Sequence, residues 1–336
     1  MALIQWVRGM ESERIGVGLI GVGRHGLRYA RHIVHDLPAA SLRAVCRQHP
    51  EQGFDLSGAP PVEVYGKAEL LIADPTVDAI IVVTPPICAL EICRLAVEAR
   101  KPLLIEKPLA TTVADARAMV NMAHEAAVPL MTAQTLRFDH TIQRMTELKS
   151  HIGRSERIHL ISRIEKRTTA PDHADGYGKR GALLEIGVHM LDLVRFMTGE
   201  EVGEVRCTMD VRPDTSPETA ASILLVTSGG TICQIEIARV STERVSRADW
   251  WGSQGRLEVD WRTCRVSCHD GTGTHEFVLP SSQTVLAAVT SFLQAVRDGS
   301  PMPVTGEDGY RAVEIAEACY RSAQLGGAPV ILPLSA

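Results

Sequence analysis

Short, mostly apolar runs recur at 15–20, 42–46, 64–65, 79–83, 102–105 and 130–133, each closed by a glycine or a polar residue. Runs of this length and character predict buried strands of a parallel sheet. Between them, 27–35, 67–73, 88–99 and 113–126 carry apolar positions at helical spacing. Strand and helix alternate from Ile15 to about residue 134, which predicts a doubly wound α/β domain. Ligands of such a sheet bind beyond the carboxyl ends of its strands.

The rhythm changes near Thr135. Residues 140–149 read as a helix, 156–166 alternate like a strand, and 168–180 form a polar loop. Residues 183–197 read as an amphipathic helix. From 203 to 279 some six strands are predicted, broken by turns at 213–217, 228–230 and 270–273. Helices follow at 283–298 and 307–325. This predicts an N-terminal arm over 1–14, a doubly wound α/β domain over 15–134, and an α+β domain over 135–336. The second domain has a large, open, mainly antiparallel sheet, and the last helix is expected to pack back toward the first domain.

Composition narrows the class. The chain has 336 residues, 45% of them hydrophobic, and a formal charge of −5 without a basic block. That argues against a nucleic-acid surface. No apolar run approaches the ~18 residues of a membrane span, and the arm lacks the apolar centre of a signal peptide. Eight cysteines scattered through apolar segments suit buried thiols in a reducing cytoplasm. Cys264, Cys268 and His269 cluster in sequence. They lie in an alternating stretch without a second ligand pair, so no metal is expected.

The candidate chemistry lies at strand ends. Gly21-Val22-Gly23-Arg24-His25-Gly26 closes the first strand and opens the first helix. Such a loop allows a tight turn at Gly21, close approach of a pyrophosphate at Gly23, and close helix packing at Gly26. The helix N-terminus adds free N–H groups and the positive end of a dipole. Thr84-Pro85-Pro86 and Glu106-Lys107-Pro108 close two further strands on the same rim, as does Arg47. Pro108 fixes the backbone and makes a cis or tightly turned Lys–Pro bond plausible. Lys107 there is either a solvated loop charge or a group that reaches a substrate hydroxyl. On the helix at 183–197, Glu185, His189 and Asp192 fall on one face, with Leu183, Ile186, Met190, Leu193 and Met197 on the other. A carboxylate four residues from a histidine suits an acid–base pair, and equally an ordinary ion pair.

With these residues the chain resembles the Gfo/Idh/MocA oxidoreductases (glucose–fructose oxidoreductase, inositol dehydrogenase and relatives). The likeness rests on the glycine loop, the segment from Asp74 to Pro86, Glu106-Lys107-Pro108, the segment from Gly181 to Asp192, and Gly306 to Tyr320. It implies a Rossmann domain and an open-sheet domain that usually mediates oligomerisation, here a homodimer or homotetramer. It further implies NAD(P)-dependent hydride transfer at a secondary hydroxyl of a sugar, inositol or related polyol. Lys107 and His189 would act on the hydroxyl, oriented by Glu185. The cofactor contacts would come from Gly21, Val22, Gly23, Arg24, His25, Gly26, Arg47, Thr84, Pro85, Pro86, Glu106 and Lys107. Asp192, Arg137 and His140 are candidate substrate contacts. Relatives also suggest redox-assisted elimination or glycoside cleavage with a recycled cofactor, or a non-catalytic dinucleotide-binding sensor.

Two positions depart from the family pattern. Glu185 stands where Asp is common. Arg47 stands where an acid commonly binds the adenosine ribose. An arginine cannot accept the ribose hydroxyl protons, but it can pair with a 2′-phosphate, so NADP is expected in preference to NAD.

Overall fold

The computed structural model describes residues 14–165, 176–210, 217–240 and 242–334. The expected arm before Arg14, residues 168–175 of the polar loop, and the turn at 213–216 lie outside the described residues. The chain divides into two compact units. One takes the residues up to Gln134 together with Val285–Tyr310; the other takes Thr135–Thr284 and the chain from Arg311.

The first unit is built on β1 (Ile15–Ile20), β2 (Ala40–Cys46), β3 (Glu63–Tyr65), β4 (Ala79–Val82), β5 (Leu103–Glu106) and β6 (Leu130–Ala133). They pair in parallel in the order β3-β2-β1-β4-β5-β6. Every residue of β1, β4 and β6 is buried, as expected of strands covered on both faces. The connecting helices are α1 (Gly26–His35), α2 (Ala68–Ala73), α3 (Ala89–Glu98) and α4 (Val113–Glu125). The strand order reverses between β1 and β4, and a crevice for a ligand opens at such a switch point. The later segment of this unit holds α7 (Thr284–Asp298) and the first turn of α8 (Gly306–Gln324). Within this unit Arg297 on α7 donates to the Ala39 carbonyl at 3.3 Å. Gly309, in the first turn of α8, sits so close to Thr132 of β6 that a Cβ there would collide with its hydroxyl.

The second unit is a nine-stranded sheet. Its strands are β7 (Ser155–Glu165), β8 (Val202–Met209), β9 (Ala220–Thr227), β10 (Ile232–Val240), β11 (Val245–Gly252), β12 (Gly255–Asp260), β13 (Arg265–Asp270), β14 (Gly273–Val278) and β15 (Val330–Ile331). The order is β14-β13-β12-β11-β7-β10-β9-β8-β15, antiparallel except where β7 meets β10. Alternation works as the sequence predicts. Ile158 and Leu160, Ile223 and Leu225, and Cys233, Ile235 and Ile237 face inward and are buried. The unit also holds α5 (His140–Glu147), which runs into a 3₁₀ turn (Leu148–Ile152), and α6 (Val188–Thr198). No helix among the described residues is long and apolar enough to cross a membrane.

The amphipathic helix expected at 183–197 differs in two ways. It opens as a single π turn, Leu183–Gly187, before α6 begins. It is also buried nearly all round, with Val188, Leu191, Asp192 and Val194 as enclosed as Met190, Leu193 and Met197. Gly187 lets the segment lie against β10, where a Cβ would stand only 2.7 Å from Ile237 Cδ1. The face that reads as polar is therefore inside the unit, and charges on it need partners there.

Candidate active site

The glycine loop follows β1 directly and leads into α1. Gly21 has φ +93° and lies against the Val83 carbonyl at the end of β4, so a side chain would be both strained and obstructed. A Cβ on Gly26 would strike the Gly21 carbonyl. At Gly23, by contrast, a Cβ would meet nothing within 4 Å, which leaves open space over the loop backbone. Val22 is buried while Arg24 and His25 are exposed. The first turn of α1 has no acidic residue and no capping side chain. It therefore offers its N–H groups and dipole to an anion. Across the rim, the Thr84 hydroxyl oxygen is buried without a hydrogen-bond partner, with Pro85 exposed and Pro86 opening a 3₁₀ turn. An open cradle, an uncapped helix and an orphaned hydroxyl at the switch point fit a dinucleotide.

Glu106 ends β5 and holds the loop in place. Its Oε1 accepts from the Tyr29 hydroxyl at 2.5 Å and meets His25 Nε2 at 2.6 Å, while its Oε2 accepts the Lys107 N–H at 3.0 Å. Burial pushes the carboxyl pKa up, but the hydrogen bond and charge of His25, the Lys107 charge and the Tyr29 hydrogen bond outweigh it and bring it below the ordinary value. Burial, with the Glu106 charge beside it, holds the Tyr29 phenol neutral far into alkali. Tyr29 is absent from the sequence-based site, although it sits one helical turn after His25. The Lys107–Pro108 bond is cis, and Lys107 is half-buried. Arg47 directly follows β2, its guanidinium donating to the Gly53 carbonyl at 2.7 Å and to the Gln52 side chain.

In the second unit, Glu185 lies in the π turn, buried, in an ion pair with Arg239 of β10. Nothing in the sequence links that strand position to the helix, and Arg239 was not foreseen. His189, one turn on, is among the few partly exposed residues of the segment. Asp192 is 1% exposed and forms a two-pronged ion pair with Arg137, at 2.8 and 2.6 Å. Arg137 also stacks over Phe196 at 5.2 Å. His140 is tied instead to the segment that follows β14, its N–H donating to the Ser282 hydroxyl and its ring Nδ1 meeting the Pro280 carbonyl.

A further residue missed from sequence is Glu218, just ahead of β9. Its side-chain oxygens accept the N–H groups of Gly181 (2.9 and 3.0 Å) and Leu183 (3.0 Å) and the Tyr320 hydroxyl (2.7 Å), and its carbonyl takes the N–H of Ala182. It caps the segment that carries Glu185 and His189 from another part of the chain.

Residues 15–134 match an oxidoreductase family with an NAD-binding Rossmann fold, and residues 132–258 match the Gfo/Idh/MocA C-terminal domain. The chain belongs to the Gfo/Idh/MocA oxidoreductase family. A myo-inositol 2-dehydrogenase from Thermotoga maritima is 28% identical over 91% of this chain and 95% of its own length. A D-apiose dehydrogenase from Paraburkholderia graminis is 26% identical over 94% and 89%. Among solved structures, a protein of gentamicin A biosynthesis in complex with NAD aligns with a TM-score of 0.83. It shares 25% identity over 96% of this chain and 97% of its own.

Proposed function

We propose that this Gfo/Idh/MocA protein is a dehydrogenase or reductase that moves a hydride between a nicotinamide cofactor and a secondary hydroxyl or carbonyl of a sugar, inositol or related polyol. The observation that carries the reading is Lys107, half-buried just past the carboxyl end of β5 in a sheet whose residues match an NAD-binding Rossmann fold. The inositol and apiose dehydrogenases among its relatives support the substrate class. The bound nicotinamide supplies the hydride acceptor. Lys107 holds the substrate oxygen and stabilises negative charge as it develops there. His189 takes the hydroxyl proton as general base and returns it in the reverse direction. Glu185 orients that segment through Arg239, and Arg137 with Asp192 enters the site as one ion pair.

A screen of aldoses, ketoses and inositols, followed at the nicotinamide absorbance, tests the reading directly. His189→Ala and Lys107→Ala should each lose about 10²-fold or more in turnover, with dinucleotide affinity little changed. Near-normal turnover of His189→Ala on the substrate found would overturn the assignment. Glu185→Gln should cost less. It removes a negative charge and leaves the Arg239 cation, so the apparent pKa of the group seen in the pH–rate profile should fall.

We also infer a preference for NADP over NAD. A cation rather than a carboxylate follows β2, its guanidinium steadied by Gly53 and Gln52. Such a fork suits a 2′-phosphate. Arg47→Asp should move the preference toward NADH, and wild-type protein binding NADH tenfold more tightly than NADPH would refute it. Eight free thiols, six of them buried, support a reducing cytoplasm. The outward face of the large sheet supports pairing with another copy, as a dimer or tetramer.

A further inference from the structure

The edge of the large sheet gathers metal-ligating side chains that the proposed chemistry does not use. Cys268 and Asp270 stand two apart on β13 and so share a face. His275 of β14 lies directly across from Cys268 in the antiparallel register, which puts it on that face too. His151, from the 3₁₀ turn after α5, reaches the same point. His151 Nδ1 is 2.8 Å from Asp270 Oδ2, Cys268 Sγ is 3.9 Å from the same oxygen, and His275 Nε2 is 3.8 Å from Oδ1. The ligand atoms of His151, Cys268 and Asp270 all lie within 4.8 Å of one another.

We propose that His151, Cys268 and Asp270 form a binding site for a borderline divalent cation, zinc in particular, with His275, whose Nε2 meets the Thr272 hydroxyl at 2.8 Å, able to turn in as a fourth donor. In a tetrahedral zinc site, bonds of about 2.0–2.3 Å place neighbouring ligand atoms about 3.3–3.6 Å apart. The observed 2.8 and 3.9 Å bracket that spacing, so small side-chain rotations suffice. One thiolate, one carboxylate and one or two imidazoles are a mixed set that favours zinc over magnesium or calcium. A thiolate and a carboxylate also balance the cation's two charges.

The surroundings are arranged to orient the carboxylate. Asp270 Oδ1 accepts both the N–H and the hydroxyl of Thr272, at 2.8 and 2.5 Å, leaving Oδ2 directed at His151 and Cys268. Partners of this kind are how metal ligands are held in place. Arg144, whose charge reaches Cys268, is paired with Glu147 at 3.0 Å and stacked over Phe277 at 4.4 Å. Of the cysteines and histidine that cluster in sequence, only Cys268 takes part. His269 points to the opposite face, toward Glu258 and Thr274, and Cys264 sits in the preceding turn with φ +57°. Bound metal would fasten the 3₁₀ turn to the β13–β14 edge and leave the redox chemistry untouched.

Cobalt(II) reports on such a site by its spectrum. Metal-free full-length protein titrated with cobalt(II) should bind one equivalent, with tetrahedral d–d bands and a thiolate-to-cobalt charge-transfer band. Zinc should displace it and raise the melting temperature. His151 is half exposed, so His151→Ala should fold; it should lose about tenfold or more in metal affinity and no longer melt higher with zinc. Cys268→Ser should lose the charge-transfer band. Absence of that band in the wild type, or its survival unchanged in His151→Ala, as binding at the exposed Cys88 would give, overturns the proposal.

Discussion

Glu106 stands where a cofactor contact is expected, yet its carboxylate is engaged by the protein's own loop. The glycines of that loop are legible in sequence because each marks a place where backbone meets backbone, at the end of a strand whose character is equally plain. The partners of Glu106 are less so. His25 reads as part of the cradle, and only the fold shows its ring turned to the carboxylate, with the Tyr29 hydroxyl on the same oxygen. This arrangement makes stability depend on pH. The folded carboxyl pKa lies below its unfolded value of about 4.3. Its contribution is therefore complete above that value and is lost as pH falls through the lower, folded one. Urea unfolding of wild type and Glu106→Gln should show the variant less stable at neutral pH and the gap narrowing below pH ~4. A gap that stays constant through the acid range would mean that the charge of Glu106 is not what holds the loop.

At the scale of elements, the strand–helix alternation of the first unit and the inward alternation of the large sheet could both be read from periodicity. The π turn could not, because it opens the segment, and its shift of phase has no earlier turn to be read against. Nor could the position of the 183–198 segment inside the unit, since a pattern records where apolar residues lie and not what covers the polar ones. Glu185 and Asp192 are tolerated there because Arg239 and Arg137 neutralise them. The segment begins without a capping residue of its own; the π turn is preceded by Ala182, and Glu218 serves from across the unit. Glu218→Ala should destabilise the protein by about 2 kcal/mol, since two N–H groups and a buried hydroxyl lose their acceptor. Glu218→Gln keeps one acceptor oxygen and should cost about half as much. Denaturant unfolding measures both. If His189 acts as proposed, turnover should fall in the same order while dinucleotide affinity holds, because the cap lies on the segment that carries the histidine and not on the glycine loop.

At the scale of the whole molecule, the large sheet presents one covered face and one outward face. The outward face is mixed. His159 and Arg163 of β7 meet Glu236 of β10 at 3.2 and 3.0 Å, a small charged network. Beside it Ile232 is 44% exposed and Leu224 38% exposed. The β9–β10 register sets Ile232 across from Val226 and Leu224 across from Gln234, so Leu224, Val226 and Ile232 form one apolar patch. An apolar patch rimmed by ion pairs is the usual anatomy of an interface. In a symmetric dimer the same patch meets itself, which suits a flat apolar centre with complementary charges around it. The protein should therefore scatter light as a dimer or tetramer at micromolar concentration. Leu224→Arg should shift that mass toward the monomer, because two like charges would face each other across the symmetry axis. The substitution points outward from a strand, so the circular dichroism spectrum should be preserved. A wild-type protein of monomeric mass, or a Leu224→Arg variant that stays fully assembled, would show that the outward face of this sheet is not where copies meet.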